Sequence, residues 1–134
     1  HVVTPEHDNV AYQWFGGITP VTLFQWHNEF FIPPLRAQNI ASSLYCQNQA
    51  FVLDDIHLGM QFHCEALPAK INHWLDTARE DLHNANDINI HTVERIQREN
   101  WTHVESAMAV ARQLYSKWLS NVPMEDKARK QIKL

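Results

Sequence analysis

The side chains best suited to acid–base chemistry are His63 and Glu65, which lie two positions apart at the end of an apolar segment. On an extended chain, residues two apart point in the same direction. The carboxylate of Glu65 can therefore hold the imidazole of His63, fix its tautomer and stabilise it once it is protonated. The other ring nitrogen would then act as a base. This pair has no nucleophile of its own.

The segment that leads to His63 has the pattern of a β-strand. Apolar residues alternate with others along positions 56–63, which is the period of two expected of a strand. Pro68 follows closely and suits the first turn of a helix, so the strand is predicted to end at His63. In an open α/β sheet, ligands bind at the carboxyl ends of the strands. The pattern therefore predicts a functional site at this strand end.

Three blocks of the sequence resemble one enzyme family. Residues 59–65 (GMQFHCE) resemble the Gly-x-Gln-Phe-His-Pro-Glu signature of class I glutamine amidotransferases. Residues 24–30 (FQWHNEF), followed by Pro33, resemble the family's apolar strand that ends in His-Gly-Asp, and residues 40–51 resemble the segment between these blocks. Three blocks in the right order are more specific than any one of them.

The resemblance implies an activity and a set of site residues. In the family, a Cys-His-Glu triad releases ammonia from the side-chain amide of glutamine. His63 would then be the catalytic base and acid, and Glu65 would orient it. The backbone of the second block lines the glutamine pocket in the family, which makes Trp26, His27 and Asn28 candidate substrate-binding residues. No cofactor is expected.

The second block departs from the family at two positions. Asn28 stands where the family usually has glycine, and Glu29 stands where it usually has aspartate. A side chain takes up room that glycine leaves free, so the close approach of this backbone to a substrate is in question.

Two other functions stay open at this point. One is a non-catalytic, interaction-type relative that keeps the shape without the chemistry. The other is a metal site built from His27, His63 and Glu65, since imidazole and carboxylate suit zinc. That set lacks the close paired spacing of a metalloprotease helix, and no metal is predicted.

Neither cysteine of the chain fits the role of the nucleophile. Cys64 lies between His63 and Glu65, so on an extended chain it points away from both. It also stands where the family usually has proline. Cys46 has no neighbouring glycines that would allow a tight turn around a nucleophile. A free cysteine is usually a small buried hydrophobic residue.

The resemblance also implies the fold and the extent of the domain. It predicts a three-layer α/β fold with an open, mostly parallel sheet flanked by helices. In the family, the first strands and the nucleophile precede the region that matches here. We therefore expect residues 1–134 to be the C-terminal part of a single amidotransferase-like domain, inactive alone. The N-terminal half would be in the same or another chain, and a synthetase partner would receive the ammonia.

Composition excludes several other classes of protein. The 134 residues are 45% hydrophobic and 19% charged, which is ordinary for one soluble globular domain. The net charge of −4 and the lack of a clustered basic face argue against nucleic-acid binding. No apolar run approaches membrane-spanning length and no secretory signal is recognisable, so we expect a cytoplasmic protein without a membrane partner.

Periodicity and turn residues predict the elements around the site. We expect strands over residues 15–20, 21–26, 40–44 and 50–53, and a helix that begins at Pro68. A short helix is expected from about Thr92 to Arg98. A separate last helix is expected from Thr102, which forms a capping-box pattern with Glu105.

Overall fold

The structure, a computed structural model, describes residues 1–18, 20–78, 82 and 89–123. In chain order, the strands and helices are β1 (Val2–Pro5), α1 (Asn9–Phe15), β2 (Val21–Thr22), β3 (Phe24–Gln25), β4 (Gln38–Ser43), β5 (Ala50–Leu53), β6 (His57–Met60), β7 (Phe62–His63), α2 (Pro68–Thr77) and α3 (Val93–Asn121).

The larger sheet has the strand order β2-β1-β4-β5-β6, and each described pairing within it is antiparallel. The strands and helices agree with the expected α/β class, but the expected parallel direction does not hold in the described part. For the pairs β4–β5 and β5–β6, the reason is the length of the connections. Residues 44–49 join β4 to β5 and residues 54–56 join β5 to β6, whereas a parallel crossover needs a dozen or more residues.

A second sheet of two strands, β3 and β7, carries the histidine. These strands are antiparallel, with Phe24 opposite His63 and Gln25 opposite Phe62. The two long strands expected from the sequence are each interrupted, at Leu23 and at Gln61. At the second interruption, the backbone N–H of Gln61 donates to the carbonyl of Gln49 at 2.9 Å. The interruptions let the ends of both strands leave the large sheet and pair with each other.

The main core lies between the large sheet and two helices. Along β5, Ala50 and Val52 are buried while the residues between and after them are half-buried, as expected of a strand with one face toward the core. Helix α1 contributes Trp14 and Phe15 to this core, and α3 contributes Val110 and Leu114. A smaller cluster holds α2 against α3 through Ile71, Leu75 and Val93.

Helix α1 was not expected from the sequence. Asp8 caps its start by accepting a hydrogen bond from the N–H of Ala11 at 2.8 Å. Gly16 ends it in the left-handed conformation, at φ 63°. The prediction of a strand over residues 15–20 is therefore wrong for its described residues, 15–18 and 20, because Phe15 is the last residue of a helix and the glycine pair is its C-terminal turn.

Helix α3 is continuous, whereas the sequence predicted two helices. Thr92 is the N-cap and accepts from the N–H of Arg95 at 3.3 Å. The hydroxyl of Thr102 donates to the carbonyl of Arg98 at 3.1 Å, which is the bond of a residue inside a helix rather than of a cap. The helix ends at Asn121, just before Val122 and Pro123, as expected. Within the described residues, no helix is both long and apolar enough to span a bilayer.

Candidate functional site

The predicted His63–Glu65 pair is formed. The two side chains meet with 2.8 Å between Nδ1 of His63 and Oε1 of Glu65. Both are partly open to solvent, at 34% and 45% side-chain exposure. Because an ionised carboxylate only accepts hydrogen bonds, Nδ1 carries the proton, and Nε2 of the neutral ring is left as an acceptor. This is the tautomer that a general base needs.

Aromatic rings pack against the imidazole of His63. The ring of Trp74 lies 5.4 Å away in a T-shaped arrangement, and the ring of Phe24 lies 6.2 Å away. Phe24 comes from β3, directly opposite His63, and Trp74 comes from α2. Pro68 begins this helix five residues after the strand ends, so the chain turns back on itself and brings Trp74 to the histidine.

His63 lies on the wall of a cavity of about 660 Å³. The three substrate-binding residues expected from the second block, Trp26, His27 and Asn28, line the same cavity, as does Cys46. Glu65 does not line it, so among the described residues it holds the imidazole without facing this space. The structure therefore brings four of the five predicted site residues to one cavity and places the fifth against one of them.

His27 has contacts of its own at both ring nitrogens. Its Nδ1–H donates to the carbonyl oxygen of Glu29 at 2.8 Å, and its Nε2 lies 3.3 Å from Oε1 of Gln25. The described residues contain no group of three histidine, cysteine or acidic side chains that could hold a metal ion. The metal site of His27, His63 and Glu65 therefore finds no support in the geometry.

Two amide side chains connect His27 to the core: the half-buried Gln25 and the buried Gln49. Gln49 is completely buried, and its Nε2 donates to Oε1 of Gln25 at 2.8 Å and to the hydroxyl of Ser43 at 3.0 Å. Gln25 in turn reaches His27. Oε1 of Gln49 and Nε2 of Gln25 are buried without a hydrogen-bond partner among the described residues. We call Ser43, Gln49, Gln25 and His27 the amide chain.

The far end of the cavity is charged. Arg95 donates from Nε to Oε1 of Glu99 at 2.7 Å, and Oε2 of Glu99 lies 3.7 Å from Nδ1 of His91. Burial and the nearby Arg95 lower the pKa of His91. Burial acts to raise the pKa of Glu99, but the hydrogen bond and charge of Arg95 outweigh it and the pKa is lowered. Glu99 and His91 line the cavity, whereas Arg95 does not, so at neutral pH the cavity wall here carries a carboxylate beside an uncharged imidazole.

Solved structures with the same fold are glutamine amidotransferases. A glutamine amidotransferase from Methylobacillus flagellatus superposes with a TM-score of 0.85 at 30% sequence identity, over 92% of this chain and 52% of that one. The chain therefore has the fold of a glutamine amidotransferase over nearly all of its length. A glutamine amidotransferase from Thermotoga maritima shares the fold, with a TM-score of 0.73 and 22% identity over 89% of this chain and 49% of that one. The sequence matches no protein-family model and no curated protein.

These matches confirm the fold family expected from the sequence blocks. The chain spans about half the length of the solved amidotransferases that it matches. The expectation that it forms the C-terminal part of the domain is compatible with this coverage.

The two cysteines of this amidotransferase-like chain differ in environment. Cys64 is 1% exposed, and burial, with the neighbouring Glu65, raises the pKa of its thiol to about 12. It is therefore a protonated core residue at neutral pH. Cys46 is half-buried, donates from Sγ to the carbonyl of Asn48 at 3.5 Å and accepts from Nε2 of Gln61 at 3.6 Å. Neither side chain has a hydrogen bond to His63 in the described structure.

Sequence reasoning missed two groups beside the site. Trp74 lies on the helix expected to begin at Pro68, but nothing in the periodicity placed it against His63. Gln49 was noticed only as part of the middle sequence block. A glutamine directly before the apolar run 50–53 was a usable signal, because a fully buried amide needs hydrogen-bond partners within the protein.

Proposed function

We propose that this chain provides the histidine and carboxylate of a glutamine amidotransferase site, with His63 as acid and base and Glu65 as its orienter. The cysteine of the Cys-His-Glu triad would lie outside residues 1–134. The observation that carries the proposal is the 2.8 Å contact between Nδ1 of His63 and Glu65, which frees Nε2 on a ring that lines the cavity. The similarity to a glutamine amidotransferase over 92% of the chain supports it.

The proposed reaction divides amide hydrolysis into two steps. A thiolate attacks the side-chain amide carbon of glutamine, while His63, protonated on taking the thiol proton, returns that proton to the departing ammonia. This leaves a glutaminyl thioester. Water then attacks the thioester, His63 accepts the proton of the water, and the proton passes to the leaving thiolate. Donors for the oxyanion are needed in both steps.

Trp26, His27 and Asn28 are the proposed contacts to glutamine, since all three line the cavity beside His63. The role of His27 is limited to binding, because both of its ring nitrogens already contact protein oxygens, those of Glu29 and Gln25. The side chain of Asn28 occupies space that is free in relatives with glycine, so the fit to glutamine depends on its conformation.

The proposal extends to the partners of the chain. The nucleophile would come from the N-terminal half of the domain, in the same or another chain, and the ammonia would pass to a synthetase that aminates an acceptor. Both cysteines, Cys46 and Cys64, are free thiols, which suits the reducing cytoplasm that we propose as the location.

A glutaminase assay on the assembled protein, with its nucleophile-bearing half present, tests the proposal. His63→Ala should lower kcat by about three orders of magnitude or more, because removing one member of a triad disables the others. His73→Ala is the matched control, since His73 is exposed on α2 and does not line the cavity. Absence of ammonia release by the wild-type assembly would instead favour the non-catalytic, interaction-type relative.

A further inference from the structure

Trp74 is the aromatic side chain best placed to control the orientation of His63. Its ring centre lies 5.4 Å from that of His63, with 61° between the ring planes. Trp74 also stacks on Phe24, at 5.9 Å and 25°. Phe24 is itself paired with His63 across the two-stranded sheet. The three rings therefore form a closed group in which each touches the other two.

The position of Trp74 is fixed by its neighbours on α2. Ile71 and Leu75, three residues before and one residue after it, are almost completely buried against α3. These two residues anchor the helix and determine the direction in which Trp74 points. Lys70 places Nζ over the ring of Trp74, 5.5 Å from its centre. The indole is thus held from the helix side as well as by Phe24.

The bond to Glu65 is not enough to fix the imidazole. One hydrogen bond holds Nδ1 but lets the ring turn about that contact, and the Glu65 side chain is 45% exposed. Exposed pairs of this kind hold geometry weakly. A second contact, on the face or edge of the ring, removes the remaining freedom. Of the described residues, Phe24 and Trp74 have their rings against His63.

We propose that Trp74 is a positioning residue for His63, which keeps Nε2 directed into the cavity during the reaction. This rests on the proposed function. Trp74 does not line the cavity, whereas His63 and Phe24 do, so it acts through the imidazole and not by touching glutamine. An indole also tolerates the charge that His63 gains when it takes up a proton, because its π face attracts cations.

Two variants separate the contact from the bulk of the side chain. Trp74→Leu removes the ring but keeps an apolar residue in the small core cluster, and Trp74→Phe keeps a ring that can pack edge to face. Trp101→Leu is the matched control, since Trp101 is 66% exposed and lies on α3 outside the cavity. Thermal unfolding of each variant establishes that it is folded.

The first measurement is the long-range ¹H–¹⁵N spectrum of the His63 ring in the assembled protein, assigned by its loss in His63→Gln. The wild type, Trp74→Phe and Trp101→Leu should show one tautomer, with the proton on Nδ1. Trp74→Leu should show averaging of the two ring nitrogens. The second measurement is glutaminase kinetics, in which Trp74→Leu should lose kcat roughly two- to tenfold, the factor that matches an ordinary aromatic pair, with KM unchanged.

The proposal is overturned if folded Trp74→Leu gives the wild-type His63 spectrum, or if KM rises while kcat stays constant. Should Trp74→Leu not fold, Trp74→Met carries the same expectation and the same refutation. If the wild-type assembly releases no ammonia, the proposed function is refuted. If Trp74→Leu nevertheless loses the single His63 tautomer seen in the wild type, the positioning role is supported. The positioning role and the proposed function can therefore be refuted independently, the first by the spectrum and the second by the assay.

Discussion

The strand that leads to the site contains a glycine whose replacement has a cost that can be worked out from the structure. Gly59 lies on β6 directly opposite Phe51 on β5, and the ring of Phe51 lies over it. A Cβ added at Gly59 would come within 2.4 Å of Cε1 and 2.7 Å of Cζ of that ring. Carbon atoms pack at about 3.5–4.0 Å, so Gly59→Ala forces the ring to move by roughly an ångström.

The ring of Phe51 cannot move without loss of another contact. The ring also packs edge to face against Phe31, at 5.0 Å between ring centres. Displacing the ring sacrifices that pair or pushes β6 away from β5. Overpacking of this kind costs about 1–3 kcal/mol. In a domain of this size, the same change lowers Tm by roughly 3–12 °C.

Urea unfolding of wild type, Gly59→Ala, Phe51→Leu and the double variant measures this effect as a double-mutant cycle. As a single change, Phe51→Leu should lower stability. In the double variant it should restore most of the stability lost through Gly59→Ala, which gives a favourable coupling energy of about 1 kcal/mol or more. If Gly59→Ala is as stable as wild type, or if the two changes simply add, the packing of Phe51 over Gly59 is not as described and the reasoning fails.

Three further predictions concern the site and the ends of the elements. Glu65→Gln should lower kcat roughly 10- to 100-fold in the glutaminase assay, because His63 loses its charged partner. The same change should alter the free energy of unfolding by less than about 1 kcal/mol, because the pair is exposed. The control Asp54→Asn, in the exposed pair with Arg36, should leave both kcat and the free energy of unfolding unchanged. Burial raises the pKa of Cys64 from 9.0 to about 12. Between these two pH values, the folded thiol keeps a proton that the unfolded chain has lost. The free energy of unfolding should therefore fall as pH rises from 9 to 12, by up to about 1.4 kcal/mol per pH unit for this thiol. Cys64→Ala should remove that contribution in urea titrations and leave the part due to Tyr115, whose pKa is also raised to about 12. Asp8→Ala should lower the free energy of unfolding by about 1 kcal/mol, because it removes the cap of α1. Asp8→Asn should retain most of that stability, since asparagine also caps helices. An equal loss of stability in both variants would contradict the capping role.

The sequence predicted the His63–Glu65 contact more accurately than the bounds of the surrounding strands and helices. The His63–Glu65 contact follows from local geometry alone, since residues two apart on a strand share a side. The shared cavity of Trp26, His27 and His63 involves partners far apart in sequence, and only the resemblance of ordered blocks placed them together. The pairing of Phe24 with His63 is the physical cause of that proximity.

The errors have separate physical causes. The parallel sheet was taken from the fold family, although the short connections 44–49 and 54–56 already required antiparallel neighbours. Helix α1 was missed because Gly16 was interpreted as a turn after a strand rather than as the left-handed residue that ends a helix. The division of α3 came from a capping pattern at Thr102 that packing against the core overrides. Local signals cannot weigh such tertiary contacts.

The amide chain couples the hydrogen-bond roles of the His27 ring to the orientation of two amide side chains. With Nδ1–H committed to the carbonyl of Glu29, a neutral ring offers Gln25 only a lone pair, and the oxygen now facing it has nothing to donate. The Oε1 atom of Gln25 can accept a hydrogen bond only from a His27 ring that carries hydrogen on both nitrogens. With hydrogen on Nδ1 alone, the amide of Gln25 must rotate by about 180° so that its Nε2 donates to the ring. Gln49 must then turn as well, because it shares the same atom, and Ser43 changes from acceptor to donor. The hydrogens on the His27 ring and the orientations of Gln25, Gln49 and Ser43 are therefore set together, and Gln49 is out of contact with solvent.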